Sequence, residues 1–130
     1  MAELLTLHDF SQYDVRLWPA DPLAREGLQI FLLESEVGFR QYGQGEISQQ
    51  SINFIAYYVV NGWASLLSWP RDVSIRTVRN IYGGYTDRSG EDFIVLVRHT
   101  LRWALPRLEN GDGGFTHDVL ENIRRLTSDL

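Results

Sequence analysis

Three histidines are the first residues to weigh for chemistry, at positions 8, 99 and 117. His8 precedes Asp9 and His117 precedes Asp118. Adjacent side chains point different ways on a helix or a strand, so neither pair is a catalytic dyad by its sequence. No His-x3-His or His-Glu-x2-His spacing occurs, and no helical zinc site is expected. The chain has no cysteine, which excludes a thiolate nucleophile, thiolate metal ligands and disulfides together. All twelve basic residues are arginine. Without a lysine amine there is neither Schiff-base catalysis nor a phosphate loop ending in Gly-Lys-Ser/Thr. A GC-rich coding sequence accounts for part of the lysine deficit, and selection against amine modification is the other reading. His99 stands beside Arg98, with Arg102 nearby on the same helix. That grouping would suit a base acting on an anionic substrate, but a surface or structural histidine is the simpler reading.

The glycine-rich segments carry no clearer signal. Gly111-Asp112-Gly113-Gly114 precedes a helix and could present backbone donors to an anion, or simply be a connection. It is not a calcium loop: with Glu121 as twelfth position, Phe115 falls where glycine is required. Gly43-Gln44-Gly45 follows a helix, the wrong context for dinucleotide binding. No catalytic residue, metal ligand or cofactor is therefore assigned.

Charge is more informative. The chain of 130 residues carries a net charge of −5, which argues against a general nucleic-acid coat. Residues 71–107 hold seven arginines against four acids, a net of +3, and the remainder carries −8. A two-signed molecule can make complementary protein contacts or stack head to tail. Arg98 and Arg102 stand four apart and repel each other on a helix, which points to an anionic partner, internal or external. Outside the arginine segment, Glu34, Glu36, Glu46, Glu109 and Asp112 are the candidate contacts for a basic partner.

The elements that must position these groups read as helices. At 44% hydrophobic and 22% charged residues, the chain is a globule of a single domain, residues 1–130. Asp21-Pro22 starts a helix that the apolar spacing carries to about Tyr42, with an apolar surface broad enough for a central position. Glu36 and Arg40 pair on its surface. Ser48 caps a second helix to about Trp69; its rival is a hairpin at Asn61-Gly62. The polar positions keep a period near 3.6, which favours the helix. Residues 72–82 fit either a helix or alternation at Val73, Ile75 and Thr77. Ser89-Gly90-Glu91-Asp92 reads as a capping box, Pro106 should end or kink the helix it opens, and Thr116 caps a last helix in which Glu121 pairs with Arg125. The expected fold is mainly α, a compact bundle of about four helices, with room for a minor two-stranded element from residues 13–17 and 73–77.

The stretch from Ile47 to Pro70 has no charge but too many polar residues for a membrane span. The N-terminus lacks the basic start and apolar run of a signal peptide. The expected location is the cytoplasm of a bacterium or a phage-infected cell, without secretion.

Tyr42-Gly43-Gln44-Gly45-Glu46-Ile47-Ser48, followed by Phe54 and Tyr57, resembles the helix-to-helix turn of small helical bacterial toxin-immunity proteins. The resemblance covers about thirty residues and implies an acidic cytosolic inhibitor that occludes a basic nuclease toxin. It assigns no individual residue. With catalytic motifs lacking, the expectation is a non-enzymatic protein-binding module whose partner is a basic toxin or copies of itself. The alternative is a structural subunit of a phage or similar assembly, such as a connector ring. A small enzyme using His99 and arginines on an anionic substrate is the third possibility; membrane binding is not expected and nucleic-acid binding is disfavoured.

Overall fold

A computed structural model describes residues 19–34, 49–109 and 116–130. Among these residues there are five α-helices: α1 (Pro22–Glu34), α2 (Gln49–Trp63), α3 (Arg71–Tyr82), α4 (Gly90–Glu109) and α5 (His117–Thr127). A 3-10 helix (Ala64–Ser68) continues from α2. No strand occurs among the described residues.

The helix starts follow local chemistry. Asp21 Oδ1 accepts the backbone N–H of Leu23 at 3.0 Å, the acceptor that a helix N-terminus leaves wanting. Ser89 Oγ accepts from Asp92 N at 3.2 Å and Thr116 Oγ1 from Val119 N at 3.3 Å. Pro106 lies inside α4, which runs on to Glu109. One turn back from Arg107, the Trp103 carbonyl accepts from the Arg107 guanidinium at 2.9 Å.

Several expectations are corrected. Residues 73–77 are helical, so they supply no strand; the other half of that element, 13–17, lies outside the described residues. Asn61 and Gly62 sit within α2, as the 3.6-residue period favoured, and the rival hairpin does not form. That helix gives way to 3-10 geometry at Ala64, ahead of the expected end at Trp69. The tighter turn is held from α3, where the buried Ser74 hydroxyl donates to the Leu66 carbonyl at 2.5 Å. Glu121 pairs with Arg124 rather than with Arg125, whose guanidinium bonds Asn122 at 2.5 Å. The expected continuation of α1 to Tyr42, the Glu36–Arg40 pair and the Ser48 cap lie outside the described residues.

The central helix is α4, not α1: it packs against α1, α2, α3 and α5. Its apolar positions Phe93, Leu96, Val97, Leu101 and Ala104 are all buried. An aromatic cluster joins four helices. Trp63 meets Phe31 edge-on at 5.2 Å and Phe93 at 5.6 Å, and Tyr82 stacks on Phe93 at 5.0 Å. The Trp63 indole N–H donates to the Tyr82 hydroxyl at 2.7 Å, which satisfies the polar atom that burying a tryptophan would otherwise leave unpaired.

The α1–α4 crossing is tight. A Cβ on Gly27 would lie 2.1 Å from Thr100 Oγ1 and 3.2 Å from the Leu96 carbonyl. The buried Thr100 hydroxyl bonds that same carbonyl at 2.7 Å. Among the described residues no helix is long and apolar enough to cross a membrane.

Candidate protein-binding surface

The arginine-rich segment folds into α3, the loop after it and α4. Helical spacing on α3 puts Val78 and Tyr82 into the core and leaves Arg71, Arg76 and Arg79 exposed. Ile81, 47% exposed, stands on the same helix. A groove of about 570 Å³ runs between α3 and the start of α4. Ile75, Val78, Tyr82 and Phe93 give it apolar walls, and Arg79, Arg88 and Glu91 bring charge to it. Gly90 is where the two helices touch: a Cβ there would lie 2.6 Å from Ile75 Cγ2.

The charges of this region divide into paired and unpaired. Arg88 binds Glu26 of α1 through two bonds, at 2.6 and 3.0 Å, and the Glu26 hydrogen bond raises the Arg88 pKa. Arg71 and Glu91 are exposed and stand 3.8 Å apart, a contact of little energetic weight. Among the described residues Arg76 and Arg79 enter no ion pair or hydrogen bond. Arg79 lines the groove and Arg76 stands exposed one turn before it on α3; two free guanidiniums so placed can take the carboxylates of a partner while its side chains fill the groove.

The two arginines picked out by their spacing part company. Arg98 turns inward, with Nε donating to the Leu126 carbonyl at 3.2 Å and its guanidinium paired with Asp129. Of the two anionic partners its spacing allowed, the structure supplies the internal one. Arg102 is exposed and enters no ion pair among the described residues.

Of the acidic candidates, Glu34 ends α1 and is half-buried. Desolvation pushes its carboxyl above the usual value, and its charge helps raise the pKa of Tyr82, where burial is the larger cause. Glu109 is the last residue of α4, and its side chain lies outside the described residues, as do Glu36, Glu46 and Asp112. The structure thus does not bring the five acids together as one described surface.

Two contacts had no signal in local spacing. Asp21 meets His99 Nδ1 across 78 positions. Desolvation would raise the Asp21 carboxyl, but the bonds from His99, Leu23 and Ala24 and the His99 charge together hold it below its usual value. Arg107 lies over the Trp103 ring at 4.5 Å, and burial pushes its guanidinium pKa down. Among the described residues no group of three or more histidines or acids could hold a metal ion.

Comparison with known proteins yields no match: no family model, no curated protein and no solved structure aligns significantly with the chain.

Proposed function

We propose that the protein is a non-enzymatic protein-binding module that docks an acidic surface into the groove between α3 and α4. The observation that carries this reading is Arg79, free of internal partners beside apolar walls, with Arg76 equally free one turn before it on the same helix. A cation left without an internal carboxylate can take an external one, and the groove supplies the apolar contact that charge alone lacks. The chain itself carries the opposite charge elsewhere, a net −8 outside residues 71–107. A second copy is therefore the occupant, joined head to tail, as in a structural subunit of a larger assembly.

The immunity-protein reading puts the partner on the other sign, a basic toxin held by Glu34, Glu36, Glu46, Glu109 and Asp112. Glu34 supports it poorly, because its side chain is half-buried at the end of α1, and desolvation raises its carboxyl pKa.

The test is multi-angle light scattering of the full chain across salt concentrations, beside the Arg76→Glu/Arg79→Glu variant. A defined oligomer at low salt is expected, dissociating as salt rises and absent in the variant, with helical content unchanged. A monomer at every concentration, capturing a basic protein with both arginines reversed, would replace this reading with the inhibitor.

A further inference from the structure

We propose that the concavity between the start of α1 and the C-terminal half of α4 binds a small oxyanion, a phosphate or carboxylate group, through Arg102 and His99. It uses neither Arg76 nor Arg79, so it stands apart from the docking groove.

Asp21 and His99 frame the site. One Asp21 oxygen caps α1 by accepting from Leu23 N at 3.0 Å, and the other meets His99 Nδ1. A carboxylate engaged through both oxygens fixes the imidazole ring and keeps a proton on Nδ1. Nε2 is then the nitrogen left to meet another molecule, and it donates to an oxyanion in the doubly protonated ring, where both nitrogens carry a proton. Arg102 follows one turn later on α4. Both residues line a cavity of about 300 Å³ whose other walls include Pro19, Ala24 and Trp103. That volume is at the lower end of small-ligand sites.

The choice of an oxyanion follows from which charge lacks a partner. Asp21 is occupied by the helix start and by His99. Arg98, one turn before Arg102, is occupied by Leu126 and Asp129. Arg102 alone of these has no partner among the described residues, and its planar fork of donors matches two oxygens of a phosphate or carboxylate. Trp103 is braced by the Arg107 guanidinium over its ring, which gives the ligand a rigid wall.

The experiment is a titration of the isotope-labelled full chain with inorganic phosphate and, separately, with acetate, at constant ionic strength. It follows the His99 imidazole, Arg102 Nε and Trp103 indole resonances. Saturating shifts at His99 and Arg102 are expected with at least one anion, and the anion that saturates names the chemistry. Arg102→Gln should weaken that binding by at least about tenfold, Arg102→Lys by less, and Arg76→Gln not at all. Arg102 is exposed, so neither of its variants should disturb the fold. Linear shifts with both anions, or saturation that survives in Arg102→Gln, would overturn the proposal.

Discussion

Where α4 crosses α1, the backbones approach until a single added carbon would lie 2.1 Å from Thr100 Oγ1, and Ala24 and Leu28 are buried completely. Where α4 begins beside α3, a Cβ on Gly90 would lie 2.6 Å from Ile75 Cγ2, 3.0 Å from the Ile75 carbonyl and 3.3 Å from Arg79 Cγ, and a groove of about 570 Å³ opens beside this point of contact. The same central helix thus has one seam closed along Ala24, Gly27 and Leu28 and one that closes at Gly90 and then opens into a groove lined by the free Arg79. The residue types explain the contrast. Glycine and alanine let two helix axes come together and exclude water. Long guanidinium side chains keep their heads in solvent and cannot close a seam. The closed seam holds the bundle, and the open one is where the proposed partner would dock.

The largest expected effect comes from breaking the closed seam. Gly27→Ala should destabilise the protein by about 2–3 kcal/mol, since overpacking a dry crossing outweighs the gain in helix propensity. Adding Thr100→Ala removes the obstructing hydroxyl and should restore part of the loss, measured as a double-mutant cycle in denaturant. If Gly27→Ala is neutral, the two seams do not differ in the way described. Reversing Arg76 and Arg79 is the matching change in the open seam. It should alter unfolding free energy by no more than about 0.5 kcal/mol while abolishing association.

What could be read ahead of the structure divides along the same line. The Asp21, Ser89 and Thr116 starts were legible because a cap is made within three residues of itself. The helical period of residues 52–63 outweighed the Asn61-Gly62 turn signal, as the polar positions indicated. Residues 73–77 misled because Val73, Ile75 and Thr77 satisfy period two while Ile75, Val78 and Tyr82 satisfy the helix. Gly27 carried no warning, since spacing along one helix does not say where another crosses it. The Arg98–Asp129 pair, the Asp21–His99 contact and the groove walls all join segments distant in the chain. An arginine's charge can be counted in a sequence, but whether the fold supplies its partner cannot.

A smaller effect tests the edge of the closed seam, where Asp21 joins the start of α1 to His99. The bonds to its carboxylate hold the folded pKa below the ordinary 3.8. A depressed carboxyl contributes stability that is present above the unfolded pKa and is lost as pH falls through the folded one. Asp21→Asn keeps a capping acceptor and removes the charge. The wild type should therefore melt higher than the variant at about pH 5, and the gap should close on acidification toward about pH 2. A gap that stays constant over that range would mean Asp21 acts only as a neutral cap.

Gly62 gives the smallest expected change and the finest test of the contrast between seams. Its position in α2 faces Phe31 of α1, and a Cβ there would lie 3.0 Å from Phe31 Cε2 and 3.5 Å from Cζ. Alanine favours the helix by about 1 kcal/mol over glycine. Against this, the ring must give by a few tenths of an ångström. At the α1–α4 crossing the added carbon meets a threonine hydroxyl held by the Leu96 carbonyl. At Gly62 it meets the rim of the Phe31 ring, which is 7% exposed and lies 5.2 Å from Trp63 centroid to centroid. A ring atom 3.0 Å away must give far less than a hydroxyl 2.1 Å away, so Gly62→Ala should leave stability within about 1 kcal/mol of the wild type. Backbone chemical shifts at Asn61 and the substituted residue should stay helical in both proteins. A loss as large as that of Gly27→Ala, with those shifts still helical, would make the α1–α2 contact a second closed seam and extend the small-residue rule to it.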